Sequence, residues 1–133
     1  MSRSGYSEDC EGWELIMWRG AVKSSIRGKR GQKFLAELVQ ALDALPEKRL
    51  IESALEADGE VCALGSVGRL RQIDMSKIDP EDYDQVATAF DIAPALAREI
   101  EFVNDESLWW RDATPEKRFE AVRKWAVSNL LVG

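Results

Sequence analysis

Between Arg19 and Lys33 the chain carries six positive side chains, Arg19, Lys23, Arg27, Lys29, Arg30 and Lys33, and no acid. Gly20, Gly28 and Gly31 are set among them. Glycines free backbone amides for close approach, and where such a stretch runs into a helix start, amides and dipole both favour an anion. The chemistry this suggests is contact with phosphate, of a nucleic acid or a nucleotide. A solvated helix face running into a charged turn, paired with acids of the same chain, accounts for the same residues. The spacing does not match G-x-x-x-x-G-K-[ST], so nucleotide hydrolysis draws no support from it.

Residues 74–106 reverse the balance, with ten acids against Lys77 and Arg98. Spaced carboxylates can satisfy Arg and Lys forks much as phosphates do. Asp82, Asp84, Glu99 and Glu101 are therefore candidates for a surface that occupies a basic site on another protein, with an ordinary solubilising face as the alternative. Taken in pairs, the same carboxylates could be imagined as acid and base, but no motif fixes their geometry. Trp109, Trp110 and Arg111 fall in an expected loop and form a further protein-binding candidate, since tryptophan and arginine are the usual anchors of binding surfaces. A core position is the competing reading for the tryptophans.

Histidine is absent, which removes the commonest metal ligand and the side chain best suited to proton transfer near neutral pH. Ser-His-Asp and Cys-His arrangements cannot be built, and two cysteines cannot make a thiolate zinc site without borrowed carboxylates. No catalytic residue, metal ligand or cofactor is assigned, and the protein is expected not to be an enzyme. Carboxylate-only hydrolysis or magnesium chemistry stays open in principle. Cys10 and Cys62 lie far apart and are too few for a disulfide scaffold, so reduced thiols are expected.

The elements that must position these residues are mainly helices. At 133 residues and 45% hydrophobic composition, one globular domain spanning 1–133 is expected. No run approaches the roughly 18 uninterrupted apolar residues of a membrane span, and Met1 to Glu11 has no signal-like apolar core, so a cytoplasmic protein is expected. Trp13, Ile16, Met17, Gly20, Ala21 and Ser24 follow an i, i+3, i+4, i+7 pattern that predicts a helix over about 10–27 with that stripe inward. Gly28 and Gly31 interrupt it. A second helix from near Gln32 should bury Phe34, Leu35, Leu38, Val39 and Leu42 before Pro46 stops it.

Asp58-Gly59 suits the positive φ angles of a tight turn, and it predicts a hairpin from the flanking runs 50–57 and 60–67. A short helix from Pro46 to Ala57 is the competing reading. Asp79-Pro80 and Thr114-Pro115 each place a capping side chain before a proline and predict helices over 80–90, with a partner over 94–104, and over 115–130, the last pointing Phe119, Val122, Ala126 and Leu130 inward. Residues 84–104 have the cadence of a helix-turn-helix. The acids around Arg98 would repel a phosphate backbone, which favours a packed helical hairpin. The fold class expected is mostly α (α+β): about five helices around one core, with a small β-hairpin near 50–67.

The stretches Ser4-Gly-Tyr-Ser-Glu-Asp-Cys, Trp13-Glu-Leu-Ile-Met-Trp-Arg-Gly-Ala-Val, Ile26-Arg-Gly-Lys-Arg-Gly-Gln, Pro46-Glu-Lys-Arg-Leu-Ile and Gly59-Glu-Val-Cys-Ala-Leu-Gly resemble a family of short hypothetical proteins of bacteriophages and prophages. The likeness continues through Asp79-Pro-Glu-Asp, Ile100 to Glu106 and Thr114-Pro-Glu. The family has no assigned activity, so no site residue transfers. The resemblance implies a bacterial cytoplasm during infection or lysogeny, where small acidic proteins without catalytic motifs frequently bind and block a host machine. The function expected is a stoichiometric inhibitor of a host defence complex, of the anti-CRISPR or anti-restriction type. Its partner would be a host protein or ribonucleoprotein, with possible nucleic-acid contact through the basic segment. The alternative is a nucleic-acid-binding accessory or regulatory protein using residues 19–33.

Overall fold

The fold is that of a computed structural model, which describes residues 13–106, 108 and 113–131. The chain is mostly helical with a small antiparallel hairpin, an α+β arrangement as expected. Among the described residues six α-helices order as α1 (Trp13–Arg27), α2 (Lys29–Ala44), α3 (Ala63–Arg71), α4 (Tyr83–Phe90), α5 (Pro94–Glu106) and α6 (Pro115–Ser128). The strands β1 (Glu56–Ala57) and β2 (Glu60–Val61) precede α3. Helix α2 packs on α1, α3 and α6, while α5 packs on α1, α3, α4 and α6. These two helices are the inner members, and the phenyl rings of Phe34 and Phe90 meet between α2 and α4 at 6.4 Å.

The pattern of α2 dictates its packing. Phe34, Leu35, Leu38, Ala41 and Leu42 are buried in one core cluster, with Val39 packed partly against it, and a helix ending at Ala44 leaves Pro46 just outside. It begins at Lys29, earlier than expected, because Gly28 is the N-cap and its carbonyl accepts the Gln32 amide at 2.9 Å. Gly31 therefore lies inside α2. A β-carbon there would come within 1.9 Å of the Ser25 carbonyl oxygen, so the glycine lets the end of α1 press on the start of α2. Its role is packing within the chain.

Helix α1 turns a different face inward from the one expected. Met17, Gly20, Ala21 and Ser24 are exposed, Met17 to 58%. Val22 is buried and Ile26 packs partly against the core. Past Met17 the expected stripe is only Gly20, Ala21 and Ser24, and α5 and α2 pack on the neighbouring face instead. The side chains of Trp13, Ile16 and Trp18 lie outside those described.

The hairpin is present but short. Asp58 (φ 53°) and Gly59 (φ 80°) both take positive φ, the requirement of a two-residue turn with the twist of the strands, and Ala57 pairs with Glu60, Glu56 with Val61. Residues 63–67, expected to continue the second strand, instead start α3, with Cys62 as N-cap. The apolar run Ala63 to Val67 is buried on all sides, and such a run cannot be told strand from helix by periodicity. Tertiary contact decides: Gly65 approaches the Leu55 carbonyl so closely that a β-carbon would sit 1.9 Å from it.

Helix α4 starts after Asp82, whose carboxylate accepts the Gln85 amide at 3.1 Å. Asp79 instead closes a turn on the Glu81 amide, leaving Pro80 outside the helix. Thr114 caps α6 as expected, accepting from the Lys117 amide at 3.2 Å, and Phe119, Val122 and Ala126 are buried, with Leu130 packed partly against the core. Two polar side chains tie the middle of the chain together. Asn104 accepts the Ala63 amide and donates to the Ile51 carbonyl, both at 2.9 Å. Arg118 donates to the Leu50 carbonyl at 3.0 Å.

Candidate anion-binding surface

The six cations of residues 19–33 separate into two groups. Arg19 is docked: one guanidinium nitrogen donates to both carboxylate oxygens of Glu99, at 3.0 and 3.2 Å, and the group stands 6.0 Å from the Phe102 ring. Arg30 meets Asp91 at 3.5 Å, with both side chains largely in water, an arrangement worth about 0–1 kcal/mol. Lys23, Arg27, Lys29 and Lys33 are exposed, and among the described residues none of them has an ion pair. Every other described arginine has a carboxylate or an aromatic ring as partner.

Lys23 and Arg27 stand one turn apart near the end of α1, and Lys29 and Lys33 one turn apart at the start of α2. The dipole of α1 favours Arg27 at its C-terminus. That of α2 opposes Lys29 and Arg30, and no acid stands in its first turn to offset them. The corner between the helices is held by Gln32. Its amide nitrogen donates to the carbonyls of Ile26 at 2.6 Å and Asn129 at 3.0 Å, and its carbonyl accepts the Leu131 amide at 2.7 Å. The charge pattern of the sequence pointed to the cations. It gave no sign of Gln32, a single polar residue whose role depends on the chain end arriving beside it.

Beside the corner, Lys33, Ala36, Glu37, Gln40, Arg71 and Asp91 line a groove. Its arginine is committed, since Arg71 donates to Glu37 at 2.8 Å and to the Phe90 carbonyl at 2.9 Å and lies over the Phe34 ring. Hydrogen bonding from Arg71 holds the Glu37 carboxyl below the usual carboxylate range, with the charges of Arg71 and Lys33 acting in the same direction.

The acidic segment corrects the expectation that Asp82, Asp84, Glu99 and Glu101 share one protein-binding surface. Glu99 and Glu101 are buried, at 6% and 1% exposure, and so cannot belong to a protein-binding face in this fold. Being two apart on a helix, they also do not face one another as an acid–base pair would. Asp82 and Asp84 are exposed, Asp82 with one oxygen engaged as a cap. Asp74 caps the 3-10 turn Met75–Lys77, and hydrogen bonds from the Ser76 hydroxyl and amide lower its pKa. Arg98 is buried with its guanidinium 4.9 Å from the Tyr83 ring. Residues 95–101 are all buried, so α4 and α5 form a packed helical hairpin and α5 offers no face to a DNA groove. Trp109, Trp110, Arg111 and Cys10 lie outside the described residues, while Cys62 is buried and its sulfur accepts the Gly65 amide.

Among the described residues no group of three or more Asp, Glu or Cys side chains is placed to hold a metal ion, and no helix is long and apolar enough to cross a membrane. No protein-family model matches the chain, and neither the curated proteins nor the solved structures contain a match.

Proposed function

We propose that the protein acts without catalysis, by stoichiometric binding, as an inhibitor of a host defence machine that handles nucleic acid. The setting comes from the resemblance to phage and prophage proteins. The observation that supports a binding role is the set of four exposed cations on the α1–α2 corner, without an ion pair among the described residues, in a chain whose net charge is −6. Cations left in water on this corner, while the other described arginines have partners within the chain, are available to a partner. The exposed Asp82 and Asp84 at the start of α4 offer that partner a second contact of opposite sign.

Expression of the protein in a bacterial host with an active restriction or CRISPR system tests this. The expected result is a rise in phage plaque number by orders of magnitude, together with recovery of a defence component in stable proportion when the tagged protein is purified. Unchanged plaque numbers on hosts protected by either kind of system would overturn the reading. The alternative, a nucleic-acid-binding accessory protein using residues 19–33, predicts binding to oligonucleotides with no effect on defence.

A further inference from the structure

We propose that the α1–α2 corner docks on the phosphate backbone of a nucleic acid through Lys23 and Arg27 on α1 and Lys29 and Lys33 on α2. The inference rests on the binding role just argued and names what this surface touches. Arg19 and Arg30 are excluded from the set because each has a carboxylate of the acidic segment as partner.

The four cations have no such partner among the described residues, which leaves their charge directed outward. The surface beside them is low. Gly20, Ala21 and Ser24 are exposed on α1, and a β-carbon built on Gly20 would meet nothing within 4 Å. A bulky backbone can therefore approach α1 closely, with the exposed Ser24 one residue along from Lys23 as a further donor of the kind phosphate contacts use. The corner is also fixed before any partner arrives, by the three hydrogen bonds of Gln32 and the close contact of Gly31 with Ser25. Little ordering remains to be done on binding.

Charge density selects nucleic acid over an acidic protein. A duplex carries about one negative charge per 1.7 Å of axis and releases condensed counterions when cations replace them. That gain is local and survives the net charge of −6. A protein's acidic patch has no such condensed counterion layer to release. A phosphate beside α2 would also relieve the conflict between Lys29 and the positive end of the α2 dipole.

The test measures affinity of the full chain for single-stranded DNA, duplex DNA and duplex RNA oligonucleotides across a series of salt concentrations. Binding is expected at low salt, and the variant K23A/R27A/K29A/K33A should weaken it about tenfold or more. The slope of log affinity against log salt should shrink by about 3, as four lost phosphate contacts require. The control K77A/K124A removes exposed positive charge elsewhere and should change neither quantity; unchanged melting of both variants shows that they fold. Absence of binding to all three oligonucleotides, or equal affinity and slope in the four-residue variant, overturns the proposal. So does a defence protein, free of nucleic acid, whose capture depends on the four cations. If that variant still blocks defence while no oligonucleotide binds, this surface fails and the inhibitor reading stands. If oligonucleotides bind as expected while defence is untouched, the surface stands and the inhibitor reading fails.

Discussion

The basic residues 19–33 lie on α1 and α2 with Lys23, Arg27, Lys29 and Lys33 in water, whereas the acidic residues 74–106 deliver Glu99 and Glu101 into the buried helix α5 and Asp82 into the cap of α4. Two segments of opposite charge thus meet different fates. The difference follows from what each side chain can bond. A carboxylate accepts, and every helix start presents unpaired backbone amides within reach, so acids find work locally: Asp74, Asp79 and Asp82 all accept amides two or three residues ahead. An ammonium or guanidinium only donates, and needs a carbonyl or carboxylate brought to it by the fold. Arg19 is given Glu99 in this way; among the described residues Lys23, Arg27, Lys29 and Lys33 are given no ion pair. A run of bases left on the surface is therefore more informative about partners than a run of acids.

The sharpest way to break this contrast is to destroy the corner that holds the cations. Gly31→Ala sets a β-carbon against the Ser25 carbonyl and should lower stability by about 3 kcal/mol, read as a shift of the denaturation midpoint. Next comes the ion pair that joins the two segments. Glu99→Ala removes both hydrogen bonds to Arg19 and should cost about 2 kcal/mol, while Asp84→Ala, on the surface of the same acidic segment, should stay within about 0.5 kcal/mol. Equal effects at the two positions would show that α5 is not where the acids become structural.

Smaller effects separate caps from free charges. Asp82→Ala should cost about 1 kcal/mol through the lost α4 cap, against less than about 0.5 kcal/mol for Lys23→Ala, both read by urea denaturation. The smallest effect is in pH. The Glu37 carboxyl is depressed in the folded state by Arg71, so its contribution is complete above the unfolded value of about 4.3 and is lost as pH falls through the lower folded value. Glu37→Gln should flatten the acid side of the stability curve below about pH 5. An unchanged curve would show that the Arg71 contact does not persist in solution.

What could be read along the chain was what local chemistry enforces. The apolar spacing from Phe34 to Leu42 and the proline at 46 define α2, Thr114-Pro115 starts α6, and Asp58-Gly59 turns the hairpin, because each depends on neighbours within a few residues. Residues 63–67 were misjudged as strand since a short apolar run suits either element, and the contact of Gly65 with Leu55 settles it as helix. The exposed face of α1 differs from the expected one for a related reason: Gly20, Ala21 and Ser24 offer little apolar area beside Met17, and Val22 is buried instead.

Apolar spacing and capping residues dictate a mainly helical chain, and the run of bases without an acid marks residues 19–33 as a candidate positive surface. Which of those charges stay available depends on contacts made far along the chain. Pairing of Arg19 with Glu99 spans 80 residues and that of Arg30 with Asp91 spans 61, and Gln32 reaches a carbonyl 97 residues away. No local rule registers such separations. They arise when α1 and α6 pack against the inner helices, and that packing leaves Lys23, Arg27, Lys29 and Lys33 facing outward on one corner.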